Sequence, residues 1–308
     1  MLVAMTPLTP FETNDRHLVI DGRKVPRFFY GTAWKEDDTE RLATQALGQG
    51  FRAIDTANQR KHYVEAAVGQ AVRRAISGGM LPRDVVFLQT KFTHLRGQDD
   101  RLPYDPKAPI GEQVHQSFAS SLDHLGVDAL DSYVLHGPSI RDGLADQDWE
   151  AWRAMEQIHK GGGARFLGVS NVSLKQLQIL CADAEVPPRF VQNRCYASRL
   201  WDQGVRRFCA ASNMVYQGFS LLTANRAVAQ DKRLVAIATR HQRHMSQIIF
   251  RFALDVGMIP LTGTRSAAHM REDLEVLKFR LDADEVETIE TLAPTDPTRV
   301  KIAVKPRA

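Results

Sequence analysis

FRAIDTANQRKHYVEAAVGQAVRRAISGGMLPRDVVFLQTK (51–91) holds the pattern that decides the fold. A short apolar run, FRAID (51–55), precedes a stretch of helical periodicity, HYVEAAVGQAVRRAISGG (62–79), and a second apolar run, VVFLQTK (85–91), follows it. Short runs rich in Val, Ile, Phe and Leu read as buried strands, and the longer 3.6-period stretch reads as a helix. A strand–helix–strand unit of this kind makes a parallel pair. The alternation continues on both sides. Upstream lies RFFYGT (27–32); downstream lie LDSYVLH (130–136), ARFLGVSN (164–171), RFVQN (189–193), NMVYQ (213–217) and GMIPLTG (257–263). Helical stretches separate them, including DDTERLATQALGQG (37–50) and SLKQLQILCADAE (173–185), the latter with Ser173 as its N-cap. Eight such units in 308 residues, about 38 residues each, match the size of a (β/α)8 TIM barrel. The rival is a doubly wound sheet, and no Gly-x-Gly-x-x-Gly follows the first strand to support it. Ahead of the barrel, HLVIDGRKVP reads as a β-hairpin closed by Asp21-Gly22. The expected organisation is one domain over 1–308, with the hairpin at about 17–26, the barrel at about 27–293 and a short tail over 294–308.

Composition narrows the function classes. Apolar residues make up 44% and charged residues 25%, which excludes a disordered, collagen-like or coiled-coil chain. The net charge of +4 permits an anionic ligand without calling for nucleic acid. Cys181, Cys195 and Cys209 form no Cys-x-x-Cys pair and are odd in number, so neither a disulfide framework nor a thiolate zinc site is expected, and a reducing cytoplasm fits best. The first twenty residues do not read as a signal peptide, and no apolar run approaches a membrane span. The tail after about 294 is too short for a large lid over the pocket. His241 and His244, three apart on an expected helix, sit among Arg240 and Arg243 and read as a solvated basic face, with no metal expected. The basic stretch 232–243 reads as a helix surface, because no aromatics interleave it for stacking on nucleic acid. Gly161 to Gly163 read as a helix stop.

In a barrel, chemistry gathers where strands end. Here the runs end in Asp55, Lys91, His136, Ser170 with Asn171, Gln192 with Asn193, Gln217, and Thr262 with Thr264. Asp, Lys and His ending the second, third and fourth runs would meet at one mouth. A buried lysine must be paired or neutralised, and Asp55 is the natural partner for Lys91.

The segments GTAW (31–34), FRAIDTA (51–57), TK (90–91), DSYVLHGPS (131–139), GVSN (168–171), VQNRCYA (191–197) and IPLTGTRSAAHMREDL (259–274) together resemble the aldo-keto reductase superfamily, in that family's order and near its spacing. The resemblance spans about residues 18–293. It implies a catalytic tetrad of Asp55, Tyr63, Lys91 and His136, which would reduce an aldehyde or ketone with a nicotinamide cofactor. The family's tyrosine usually stands five residues after the Asp, where this chain has Arg60. A subset with Gln-x-Lys-His-Tyr in the loop matches Gln59 to Tyr63, and Tyr63 directly precedes the next helix, so the resemblance assigns the acid to Tyr63. Lys61 and His62 would flank it at the pocket rim. A tyrosine pKa near ~10 is high for a proton donor, and a neighbouring ammonium would ease proton release. His136 would hydrogen-bond the carbonyl oxygen.

The cofactor expectations rest on the same resemblance. Gly31 and Thr32 lie at the end of the first run. Ser170, Asn171 and Gln192 match residues that bond the carboxamide, and Tyr216 matches the aromatic that stacks on the nicotinamide. Gln217, Gly218 and FSLLTAN (219–225) match the loop beside the pyrophosphate. Gly263, Thr264, Arg265, His269, Glu272 and Asp273 match the region around the adenosine 2′-phosphate. With Arg265 and His269 as cations there, NADPH is favoured over NADH. Trp34, Phe92 and Trp201 are candidate apolar walls for a small-molecule carbonyl substrate, beside the loops 92–110 and 198–204. Two other classes stay open: a cofactor-binding sensor or partner subunit with little catalysis, and a phosphate-binding barrel lyase or isomerase without nicotinamide.

Overall fold

The computed structural model describes residues 16–292; the expectations for a leader at the start and for the tail from 294 fall wholly or mainly outside them. Strands β1 (His17–Ile20) and β2 (Arg23–Pro26) form the antiparallel hairpin. Asp21 and Gly22 both have positive φ (47° and 74°), as a tight two-residue turn requires. The barrel follows as β3 (Phe29–Gly31), α1 (Thr39–Gln49), β4 (Ala53–Asp55), α2 (Glu65–Ser77), β5 (Phe87–Phe92), α3 (Ile110–Leu125), β6 (Leu130–Leu135) and α4 (Asp146–Lys160). It continues with β7 (Ala164–Ser170), α5 (Leu174–Asp183), β8 (Phe190–Arg194), α6 (Gln203–Ala211), β9 (Val215–Phe219), α7 (Lys232–His241) and α8 (Met245–Asp255). Strand β10 (Ile259–Thr262), α9 (Ala267–Glu275) and α10 (Ala283–Glu290) complete it.

Strands β3 to β10 close into one parallel barrel, β10 pairing with β3. Each of the eight apolar runs supplies one barrel strand. Ser173 caps α5, accepting a hydrogen bond from the backbone N–H of Gln176. One helix expectation is corrected. His241 and His244 do not share a helix, because Gln242 adopts φ 52° and separates α7 from α8; His241 Nε2 lies 2.8 Å from Glu285.

Side chains alternate across each strand, and this sorts the interior into layers. Phe29, Phe87, Phe166 and Phe190 point inward near the lower end, with Phe87 and Phe190 ring centroids 5.8 Å apart. Leu18, Ile20 and Val25 of the hairpin pack in the same cluster, so the hairpin plugs that end. Burying each large apolar side chain contributes about 1.5–3 kcal/mol before conformational entropy is counted. The plug leaves only the C-terminal mouth open for chemistry. Residues out of phase, such as Tyr30, Leu88, Phe92, Leu167 and Tyr216, join the outer core between strands and helices.

Candidate active site

Above the phenylalanine layer the inward positions turn polar. Gln89 and Gln192 donate through Nε2 to Asp55 Oδ1 at 2.8 and 3.0 Å, and both also donate to Gln217 Oε1 at 2.9 and 3.1 Å. This amide layer presents Asp55 to Lys91, whose Nζ donates to Asp55 Oδ1 and to the Thr56 carbonyl, both at 2.7 Å. Both side chains are almost fully buried. Burial pushes the Lys91 pKa down, and Asp55 opposes that shift. The two charges form a compact neutral unit under the mouth.

The loop after β4 delivers the phenol. Asn58 Nδ2 donates to the Ser117 carbonyl at 3.0 Å, which anchors the loop to α3. The backbone then makes a turn in which His62 and Tyr63 both donate N–H to the Gln59 carbonyl. Arg60 points to the surface, 3.3 Å from Glu36. That turn takes up residues 59–63, and half-buried Tyr63 arrives with Lys91 Nζ 5.5 Å from its ring centroid. Its ring lies 6.0 Å from that of His136, edge-on. No described residue takes its hydroxyl in a hydrogen bond. Burial first, and then the negative charge of Asp55, push the Tyr63 pKa well above its ordinary value. Lys91 does not reverse this, because its charge is offset by Asp55 at contact distance. His136 is pushed down to about 3 by burial, Lys91 and His62, and is neutral at physiological pH. Its Nδ1 lies 2.7 Å from the Thr93 hydroxyl.

A groove of about 940 Å³ runs from this point towards α9. Asp55, Tyr63, His136, Gly31, Ser170, Asn171, Gln192, Gly263, Thr264, His269, Glu272 and Asp273 line it, as does Trp34, whose ring centroid lies 3.9 Å from that of His62 at a tilt of 39°. Asp273, near the far end, is pushed up to about 7, mainly by burial.

Other sequence-based assignments are corrected. Tyr216 is buried and out of phase with Val215 and Gln217; its hydroxyl donates to Asp202 at 2.9 Å on the outer side of the barrel. The aromatic that β9 gives the groove is Phe219, because the strand runs two residues past the end of NMVYQ. Gly218 faces Met258 and Leu221, and Gln217 sits below, in the amide layer. Thr32 is buried with its hydroxyl on the Asp55 carbonyl. Arg265 turns away from the groove to Asp38 (2.6 Å) and the Trp34 carbonyl. Phe92 packs outward against Tyr104. Trp201 is fully buried, its indole donating to the Ile289 carbonyl at 2.8 Å. That anchor holds three consecutive residues, Leu200 to Asp202, at φ 51–58°, a region costing roughly 1–2 kcal/mol each outside glycine. Phe219, read only as part of the loop beside the pyrophosphate, and Gln89 and Thr93, not singled out at all, escaped sequence reasoning. Counting inward phase back from Lys91 and on from Gln217 finds the first two.

A parallel barrel whose open end joins a phenol, a buried ion pair and a neutral imidazole to a dinucleotide-sized groove defines a class, the carbonyl oxidoreductases built on this fold. The chain belongs to the Aldo/keto reductase family, whose sequence profile matches residues 28–294. It is 26% identical over 286 residues to the glyoxal reductase of Bacillus subtilis (strain 168), covering 92% of this chain and 94% of that one. It is 27% identical over 297 residues to the NADPH-dependent alpha-keto amide reductase of Saccharomyces cerevisiae (strain ATCC 204508 / S288c), covering 88% of each. A crystal structure of an aldo/keto reductase from Brucella melitensis aligns with TM-score 0.73 at 26% identity, covering 88% of this chain and 96% of that chain. Its reaction class is the reduction of an aldehyde or ketone to an alcohol with a nicotinamide cofactor. No helix among the described residues is long and apolar enough to cross a membrane.

Proposed function

We propose that Tyr63 gives the proton and His136 the orienting hydrogen bond in the reduction of a small aldehyde or ketone, with NADPH as the reductant. The observation that carries this reading is the meeting of Tyr63, His136 and the Lys91–Asp55 pair at the inner end of the groove. The donor set there suits a nicotinamide. Gln192 commits its Nε2 to Asp55 and Gln217, which leaves its Oε1 to accept from a carboxamide. Asn171 commits its Nδ2 to the His136 carbonyl and Ser170, which leaves its Oδ1 as a second acceptor. Phe219 offers an aromatic face.

When bound, the reduced nicotinamide supplies a hydride to the carbonyl carbon. Tyr63 passes its proton to the carbonyl oxygen, so that C=O becomes CH–OH. Because the Tyr63 pKa is raised, the donor form is the resting form at neutral pH. The phenolate left behind faces the Lys91 ammonium and regains a proton from solvent. His136 donates from Nε2 when the Thr93 hydroxyl donates to Nδ1, which selects that tautomer. Thr93→Val removes the selection. One neutral hydrogen bond is worth about 1.4 kcal/mol at the upper end, so kcat should fall by roughly tenfold. Steady-state kinetics check this, and an unchanged kcat removes Thr93 from the mechanism.

The preference for NADPH is supported by the NADPH-dependent yeast relative and by the Arg265 guanidinium, which lies close to the groove through its bond to the Trp34 carbonyl; His269 lines the groove as a further polar partner. Arg265 already holds Asp38, so a 2′-phosphate must compete for it. The expected result is a kcat/KM with NADPH only several-fold above that with NADH, widened in Asp38→Asn. Side-by-side rates with the two cofactors decide it, and a clear NADH preference refutes the proposal.

A further inference from the structure

A second cleft, of about 1010 Å³, opens on the other side of the same reacting point and shares His62, His136, Asn171 and Arg194 with the groove. Four arginines line it: Arg96 on the loop after β5, Arg141 after β6, Arg194 at the end of β8 and Arg199 just beyond. We propose that the carbonyl compound reduced here carries a second, anionic group, a carboxylate or a phosphate, held by these guanidiniums. This rests on the carbonyl-reduction reading above and goes beyond it, because nothing in that chemistry calls for a charged substrate.

None of the four arginines forms an ion pair among the described residues, so no carboxylate of the chain occupies their guanidiniums. Arg194 lies over the ring of Phe219 at 5.6 Å and Arg199 over Tyr196 at 5.4 Å. Stacking holds a guanidinium by its face and leaves its N–H fork free for an oxyanion. Asp202 is the one carboxylate in the lining among the described residues. It already accepts from Asn193 Nδ2 and the Tyr216 hydroxyl, both at 2.9 Å, and these hold it against the wall.

The catalytic groups do not supply the balancing charge. Lys91 and Asp55 cancel, and His136 is neutral. The cleft is therefore cationic in excess of what the chemistry uses. Like charges lining one concave cleft sum to a positive potential that an incoming anion relieves. The dinucleotide does not account for them, because Arg96, Arg141 and Arg199 line only the second cleft and Arg194 alone reaches both.

The test compares matched carbonyl pairs under saturating cofactor: butanal with 4-oxobutanoate, benzaldehyde with 4-carboxybenzaldehyde, and glyceraldehyde with glyceraldehyde 3-phosphate. At low salt the anionic member of at least one pair should have the higher kcat/KM, by about tenfold or more and mainly through KM. That preference should shrink as salt rises to roughly 0.5 M. The pair with the larger ratio tells carboxylate from phosphate. In Arg96→Gln/Arg141→Gln/Arg199→Gln, checked for an unchanged thermal transition, the ratio of anionic to neutral kcat/KM should collapse towards one. Equal or lower kcat/KM for the anionic member of every pair overturns the proposal, as does a preference that the triple variant keeps in full. Turnover of no carbonyl at all, neutral or charged, with either nicotinamide sinks the carbonyl-reduction reading itself, a different and separately visible result.

Discussion

Tyr63→Phe is expected to keep the dinucleotide and to lose carbonyl reduction by about 10²–10⁴-fold in kcat, the usual worth of a positioned general acid. The ring of Tyr63 lines the groove beside His136, and phenylalanine fills the same space, so cofactor affinity should change little. What disappears is the proton for the developing alkoxide. His136 cannot take over as the acid, because an imidazole pushed down to about 3 is not protonated to imidazolium at neutral pH, and giving up its one N–H proton would leave an imidazolate. The pH profile gives an independent readout. The raised Tyr63 pKa keeps the phenol protonated past the ordinary tyrosine value near ~10, so reduction should not decline between neutrality and that pH through loss of this acid. Alcohol oxidation needs the phenolate, so it should be slow at neutral pH and accelerate as pH rises. Near-parental reduction of a good aldehyde by Tyr63→Phe would remove Tyr63 as the acid.

The barrel and the buried pair were legible because they follow from period-two alternation and from strand ends. Asp55 closes β4, and Lys91 stands one residue before the end of β5, on its inward face. Two errors came from ignoring phase. NMVYQ ends on a glutamine, which reads as the start of a loop, but Gln217 is an inward member of the amide layer and β9 continues to Phe219. In phase with Val215 and Gln217, the aromatic that β9 turns to the groove is Phe219 and not Tyr216. Phe92 fails in the same way, being out of phase with Gln89 and Lys91. Other features have no local signal. Trp201 is drawn into the core by the Ile289 carbonyl 88 residues away, and Arg265 chooses Asp38 from a distance of 227 residues. The four cleft arginines come from the end of β8 and from the loops after β5, β6 and β8, so only closure of the barrel brings them to one cleft. The tyrosine shift is instructive for the opposite reason. Arg60 stands where the resemblance expected the tyrosine, and the closed turn over residues 59–63 carries Tyr63 to the groove instead.

Asp55→Ala should destabilise the protein by roughly 3–5 kcal/mol, because it leaves the Lys91 ammonium buried without its counter-charge. Gln89 and Gln192 lose their shared acceptor as well, which adds to the cost. The pH dependence follows from the sign of the lysine shift. Burial already holds the Lys91 pKa below the ordinary value, and Asp55 opposes this, so losing Asp55 lowers it further. Between that lowered folded value and the unfolded value near ~10.4, the unfolded chain binds the extra proton, and stability of the variant rises with pH. The deficit relative to the parent should therefore be largest at low pH and shrink as Lys91 sheds its proton. Urea unfolding at several pH values measures both curves. The double variant Asp55→Ala/Lys91→Met removes the orphaned charge and should recover much of the loss, giving a coupling free energy of the same order between the two positions. A pH-independent deficit, or a double variant no more stable than Asp55→Ala alone, would show that the cost comes from the broken amide layer and not from the stranded ammonium. In either case the variant should be nearly inactive, since the pair that meets the Tyr63 phenolate is gone. The stability curve separates the two causes where activity alone does not.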